Sequence, residues 1–240
     1  MPFTFSHPAI ILPLTFLKRQ WFSATGLIIG SMTPDFEYFI RMKVRSEYSH
    51  TLLGLFWFDL PLGLLLCFVY HNIVRNSLID NLPKPLNRRL TFFKSLGWTK
   101  YFKTNWSVVL ISILVGAYSH LLWDSFTHET GFFVTRLPIL HNPIYFDNWS
   151  IPLYKCVQHL STLIGGLFII ITLLRLEKHP VFVTTKFSKY WSSVTAISLT
   201  VLILRFTFGL SYYQYGNVIV TVISGGLLSL IVTPLILERE

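Results

Sequence analysis

Apolar residues run along this chain in stretches too long and too free of charge to form one face of a soluble helix. About 20 mostly apolar residues in a helix cross a hydrocarbon core of roughly 30 Å, and five stretches reach that length: 51–71, 105–127, 156–175, 191–210 and 217–237. Two shorter pieces precede them. Residues 8–17 are too few to span and read as a re-entrant or interfacial helix. Residues 21–40 contain Gly26, Gly30 and Pro34 and read as a span broken at the Thr33-Pro34 step, because proline lacks an amide donor and clashes with the preceding turn. The pattern predicts an all-α, polytopic transmembrane helical bundle with five clear spans, one broken N-terminal span and one short re-entrant or interfacial helix.

Composition agrees with a lipid solvent: 52% of residues are hydrophobic and 13% charged, against about a quarter charged in soluble domains. One integral membrane domain over 1–240 is expected, with the candidate site in 1–165 and further spans in 166–240. The start has no basic n-region and no small-residue cleavage site after its first apolar run, so a removable signal peptide is not expected. Cys67 lies in the middle of one predicted span and Cys156 at the end of another, a difference in depth that argues against a disulfide.

The net charge of +9 marks a side of the membrane and not a nucleic-acid surface. Lys18, Arg19, Arg75, Lys84, Arg88, Arg89, Lys94, Lys100, Lys103, Arg175, Lys178, Lys186, Lys189 and Arg239 fall on one side, 14 of the 20 basic residues. The positive-inside rule makes that side, and the C-terminus, cytoplasmic. Segment 72–104 then reads as a cytoplasmic loop, either solvated or carrying a short amphipathic piece. Segment 128–155, rich in proline, asparagine and aromatics, reads as a long external loop able to cover a site.

This topology, drawn from Lys and Arg alone, brings His7, Asp35, His50, His120, Asp124, His128 and His159 to one external level. The tightest spacing is in Ser119-His-Leu-Leu-Trp-Asp-Ser125, where His120 and Asp124 stand i, i+4 and so share a helix face. An imidazole and a carboxylate so placed can hold one metal ion, or simply form a polar pair at a helix end. Ionisable groups at membrane depth are costly and face partners or cavities. Oxygen and imidazole donors without thiolate suit zinc first, with manganese or iron as alternatives. Such an ion polarises a phosphoryl oxygen and acidifies bound water.

The stretches Met1-Pro-Phe-Thr-Phe-Ser-His-Pro8, Ile29-Gly-Ser-Met-Thr-Pro-Asp-Phe36, Tyr48-Ser-His-Thr-Leu-Leu-Gly54 with Phe58-Asp-Leu-Pro61, and Ser119-His-Leu-Leu-Trp-Asp-Ser-Phe-Thr-His128 resemble the bacterial integral membrane family known as domain of unknown function 4184. The likeness covers most of the first 165 residues and implies a multi-pass protein of the bacterial inner membrane. The order His, Pro-Asp, Ser-His-Thr, His-x-x-x-Asp is more remotely similar to membrane-bound metal-dependent hydrolases described as LexA-binding, and to zinc-dependent phospholipase C. That resemblance implies metal ligation by Asp35, His50, His120 and Asp124, with His7 and His128 as the next candidates and His159 behind them. The chain departs where the phospholipase has a second His-x-x-x-Glu, because Leu163 follows His159 at that interval. A complete three-metal set is not expected.

Asp59 lies about 13 Å into its span by helical rise. Arg205, at comparable depth, either pairs with it or grips a substrate phosphate. His71 and His179 sit at cytoplasmic span ends and His141 in a turn, and no role follows for them. Tyr212, Tyr213, Tyr215, Trp98, Trp106, Trp123 and Trp149 read as interfacial aromatics. Gly165-Gly166 and Gly225-Gly226 read as close-packing positions.

Together these features predict a metal-dependent membrane hydrolase acting on a phosphoester or related bond of a lipid or lipid-linked substrate at the external face. Asp35 serves as both ligand and catalytic group, and His128 or Arg205 steadies developing charge. The alternative is a non-enzymatic membrane protein, either a transporter with Asp59 and Arg205 as a relay or a structural partner in envelope assembly.

Overall fold

A computed structural model of the protein describes residues 3–17, 21–180 and 187–237, apart from the side chain of Phe146. Lys18, Arg19, Lys186 and Arg239, used above to assign sides, lie outside the described residues, as does the start of the first motif.

The fold is an all-α polytopic bundle. Among the described residues, five helices are long and apolar enough to cross a membrane: Leu55–Asp80, Trp98–Asp124, Leu153–Arg175, Phe187–Thr207 and Tyr215–Leu237. Each predicted span has its counterpart, with shifted ends. The first begins only after a turn at 51–53 and continues to Asp80, so the start of the predicted 72–104 loop is helix. Polar residues extend it because they find partners. Arg75, 5% exposed, donates to the carbonyls of Leu96 (2.8 Å) and Lys94 (3.1 Å), and the Lys94 ammonium meets Asp80. The amphipathic piece anticipated in this segment is the short helix Lys84–Leu90, with Arg88 and Arg89 in its last turn.

The N-terminal 8–17 stretch forms a turn of α-helix, Pro8–Ile11, followed by the 3-10 turn Leu12–Phe16. The broken span consists of the helix Ala24–Met32, a 3-10 turn Thr33–Asp35 at the proline, and the helix Phe36–Arg41. Within 128–155 the expected loop contains an antiparallel hairpin, Pro143–Phe146 against Trp149–Pro152, with Ile144 opposite Ile151. Its two-residue connection needs positive φ, which Asp147 supplies at 37°.

The described chain forms two compact units interleaved in sequence. The first comprises Met1–Pro34, Tyr48–Leu64 and Asn105–Thr172. The second comprises Asp35–Glu47, Leu65–Thr104 and Leu173–Glu240. One boundary falls where the Trp98–Asp124 helix is kinked at Asn105 (φ −126°, ψ 29°).

In the first unit, the Ala24–Met32 helix lies in backbone contact with the Trp98–Asp124 helix. A methyl group added to Gly30 would stand 2.3 Å from the Ile113 carbonyl oxygen, and one added to Gly116 would stand 2.4 Å from that of Leu27. Small residues allow this approach, the usual device where lipid removes the hydrophobic drive for helix association. The Ser23 side chain caps the shorter helix by accepting from Gly26 N, while Ser23 N donates to Ser112 Oγ at 2.8 Å. The N-terminal segment is tied to the Leu153–Arg175 helix: Phe3 N donates to Thr162 Oγ1 and Ser6 Oγ to the Thr162 carbonyl, both at 3.1 Å. Gly165 makes room there, since an added Cβ would lie 3.0 Å from Ser6 O, whereas Gly166 faces open space. A π-helical turn, Leu55–Asp59, precedes Pro61, which has no amide to donate back along an α-helix.

In the second unit, Phe187–Thr207 and Tyr215–Leu237 pack as a hairpin joined through Gly209 (φ +96°), with Ser198 Oγ donating to Ser229 Oγ at 3.2 Å. Gly225 packs on Ser198, while Gly226 faces open space. Trp98, read above as interfacial, is buried and stacks on His71 (4.3 Å, 6°), and the His71 Nδ1 lies 2.8 Å from Arg75 Nη1. His71 is thus packed inside and does not face water. Trp106, Trp149, Tyr212, Tyr213 and Tyr215 are exposed, as belt residues are.

Candidate metal centre

The first unit gathers four imidazoles around one carboxylate. Asp124 is the last residue of the Trp98–Asp124 helix, and His120 sits one turn earlier on the same face, with Nε2 3.3 Å from Asp124 Oδ2. His50, from the turn before the Leu55–Asp80 helix, brings its Nε2 to 3.6 Å from the same oxygen. His7, between the Thr4–Ser6 turn and Pro8–Ile11, places Nε2 3.6 Å from Asp124 Oδ1, with its ring stacked on His120 at 3.7 Å. His128 Nδ1 lies 3.6 Å from Oδ1. His7, His120 and Asp124 are buried, whereas His50 and His128 are partly open.

Neutral groups hold the imidazoles in one orientation. His120 Nδ1 faces the Ser31 carbonyl at 2.8 Å, which assigns the proton to Nδ1 and turns the lone pair of Nε2 toward Asp124. That carbonyl is where it is because Gly30 and Gly116 let the two helices touch. Ser49 Oγ lies 3.0 Å from His50 Nδ1 and holds the ring with Nε2 toward Asp124. Outer groups of this kind fix ring orientation and tautomer around metals. His128 differs: its Nδ1 lies 3.0 Å from the Asp124 carbonyl and donates there, so Nδ1 is not a ligand. Burial, outweighing the nearby Asp124 carboxylate, lowers the His128 pKa and keeps it neutral at pH 7.

The spacing fits a shared cation better than direct hydrogen bonds. Both oxygens of Asp124 are buried without a hydrogen-bond partner among the described residues. The gaps of 3.3 and 3.6 Å to His120 and His50 exceed the 2.7–3.2 Å of an N–H···O bond. Two ligands on a tetrahedral zinc with bonds of about 2.0–2.1 Å stand about 3.3–3.4 Å apart. His50, His120 and Asp124 each offer one ligand atom, all within 4.8 Å of one another. A buried carboxylate without hydrogen bonds among the described residues, with imidazole nitrogens 3.3 to 3.6 Å away, is an arrangement that a cation stabilises.

Of the residues predicted from sequence, His7, His50, His120, Asp124 and His128 come together. His159 is exposed on the Leu153–Arg175 helix and makes no ion pair or ring contact with the group among the described residues. His141 ends the 3-10 turn Pro138–His141 and its ring faces Tyr154 at 5.8 Å. Asp35 is fully buried, ends the Thr33–Asp35 turn and opens the second unit. Arg205 is also in the second unit, where Nη2 donates to the Met42 carbonyl at 3.3 Å.

Sequence reasoning assigned no role to Ser31 or Ser49, although both lie in the quoted motifs. It also passed over Glu37, a buried carboxylate that accepts from Arg41 Nε (2.9 Å), Ser46 Oγ (3.1 Å) and Glu47 N (2.9 Å). Arg41 bridges Glu37 and Glu47.

Fold and site together define a multi-pass helical membrane protein with a buried histidine–carboxylate cluster able to hold a metal ion. The family model described as Domain of unknown function (DUF4184) matches residues 1–235, and the chain belongs to that family. No curated protein and no solved structure matches it.

Proposed function

We propose that the protein is a metal-dependent hydrolase of the bacterial inner membrane, acting on a phosphoester or related bond of a lipid or lipid-linked substrate. The observation that carries this reading is the Asp124 carboxylate, buried without a hydrogen bond among the described residues and faced by His7, His50 and His120 at 3.3 to 3.6 Å. His50, His120 and Asp124 hold the ion, with zinc the best match to an imidazole–carboxylate set and manganese or iron next. Once bound, the ion supplies Lewis acidity toward a phosphoryl oxygen and acidifies water. The Ser31 carbonyl keeps His120 in the tautomer that leaves Nε2 free for a metal, and Ser49 holds the His50 ring. His128, neutral and partly open, is placed to take a proton at Nε2 while its Nδ1 stays engaged with the Asp124 carbonyl.

The depth of the cluster supports the lipid class. It sits where the Trp98–Asp124 span ends, and the distribution of basic residues supports an external location for that end and a cytoplasmic C-terminus. A centre at headgroup level meets lipid phosphates without extracting the lipid.

Elemental analysis of detergent-purified protein tests the metal, with about one zinc or manganese per chain expected and none for folded His120→Ala. Liposome assays of released phosphorylated headgroup test the reaction. Equal metal in wild type and His120→Ala sinks the proposal. A transporter reading draws on Asp59, fully buried within the Leu55–Asp80 span. Flux in proteoliposomes that is lost in Asp59→Asn and kept in His120→Ala selects it instead.

A further inference from the structure

Beside the cluster lies a groove with no part in the chemistry so far. It encloses about 420 Å³ and is bordered by His7, Ile10, Trp123, Leu160, Ile164 and Phe168. Its wall on the Leu153–Arg175 helix begins at Val157 and ends at Phe168, a stripe about 16 Å long at 1.5 Å per residue. The opposite wall is the N-terminal segment, held to that helix by the Phe3 and Ser6 hydrogen bonds to Thr162. Among the described residues, no Asp, Glu, Lys or Arg lines the groove. His7 belongs to both places: it is among the residues bordering the groove, while its buried Nε2 lies 3.6 Å from Asp124 Oδ1.

An apolar groove about 16 Å long that reaches His7 of a buried histidine–carboxylate cluster suits a molecule with a hydrocarbon tail and a polar head. A water-soluble phosphoester would leave this wall uncovered, and a flat lipid-facing helix surface would offer no such concavity. We propose that the groove holds one hydrocarbon chain of the substrate lipid, laid along the Leu153–Arg175 helix with its phosphate end at His7. This rests on the lipid-hydrolase reading and adds that recognition acts through the tail, so that one chain is drawn from the bilayer into a fixed slot.

The test uses full-length protein in nanodiscs of phosphatidylethanolamine and phosphatidylglycerol, doped with a phosphatidylglycerol carrying a diazirine at the end of one acyl chain. After irradiation, peptide mapping is expected to place label between residues 157 and 168 well above that on the exposed face of Phe187–Thr207. Ile164→Trp fills the groove and is expected to lower labelling there by about tenfold, the discrimination one obstructed apolar contact gives. Leu160→Phe, a milder obstruction, serves if the first variant does not fold. Label spread evenly over all lipid-facing helices, or undiminished in folded Ile164→Trp or Leu160→Phe, overturns the groove. Zinc content separates the two claims: groove variants are expected to retain the metal of the wild type. A wild type that binds no metal yet concentrates label in the groove refutes the metal centre and leaves the groove standing.

Discussion

Replacing Gly30 by alanine tests whether backbone contact between two helices sets the affinity of the metal centre. The added Cβ would meet the Ile113 carbonyl oxygen at 2.3 Å and Ile113 Cα at 2.8 Å, whereas ordinary contacts begin at 3.4 Å. Backbone atoms on both sides cannot rotate away, so the helices separate by about 1 Å. The His120 Nδ1 to Ser31 O distance of 2.8 Å then passes beyond hydrogen-bond range, and the imidazole loses the acceptor that fixes its tautomer. Loss of such an outer partner weakens metal binding about 10- to 100-fold, or about 1.4 to 2.8 kcal/mol. Competition with a chromophoric chelator in detergent measures this, with Gly166→Ala, which meets nothing within 4 Å, as the control. Zinc affinity within twofold of wild type in a folded Gly30→Ala protein would refute the reasoning.

Other expectations concern the ligands and the second unit. Asp124→Asn is expected to abolish metal binding, read by elemental analysis, because the amide oxygen is a far weaker anion substitute. Protons compete with metal for imidazole, so occupancy is expected to fall as the pH is lowered, followed by dialysis and metal analysis. Arg75→Ala leaves the Lys94 and Leu96 carbonyls without their donor and is expected to destabilise the protein by about 2–3 kcal/mol in thermal unfolding while zinc content is unchanged. Arg75→Lys is expected to recover little of that loss, since one ammonium does not reproduce the guanidinium fork.

Five spans were legible because about 20 apolar residues have few other fates, and the break at Thr33-Pro34 was legible from the proline. The ends were not. Thr51, Leu52 and Leu53 read as span, yet they form a turn in which Gly54 approaches the Tyr48 carbonyl. Residues 72–80 read as loop because Arg75 and Asp80 are charged, and their partners at 94–96 are remote in sequence. The hairpin left a signal that went unread, the Asp147-Asn148 pair between Ile144-Tyr-Phe and Trp149-Ser-Ile. In the site, the i, i+4 pair and the common depth pointed to His7, His50, His120 and Asp124. Depth carries no information on rotation about a helix axis, which is why His159 shares their level but sits outside the stripe that faces His7. The Ser31 contact had no side-chain signature, and only the spaced glycines hinted at it.

That acceptor is a main-chain oxygen, which every amino acid at position 31 would equally present. Substituting the serine side chain alone therefore cannot delete the contact, and the levers over ring alignment are the residues that govern interhelical distance. An engineer retuning this centre would begin with steric bulk two helices deep, not with the polar atoms around the ion.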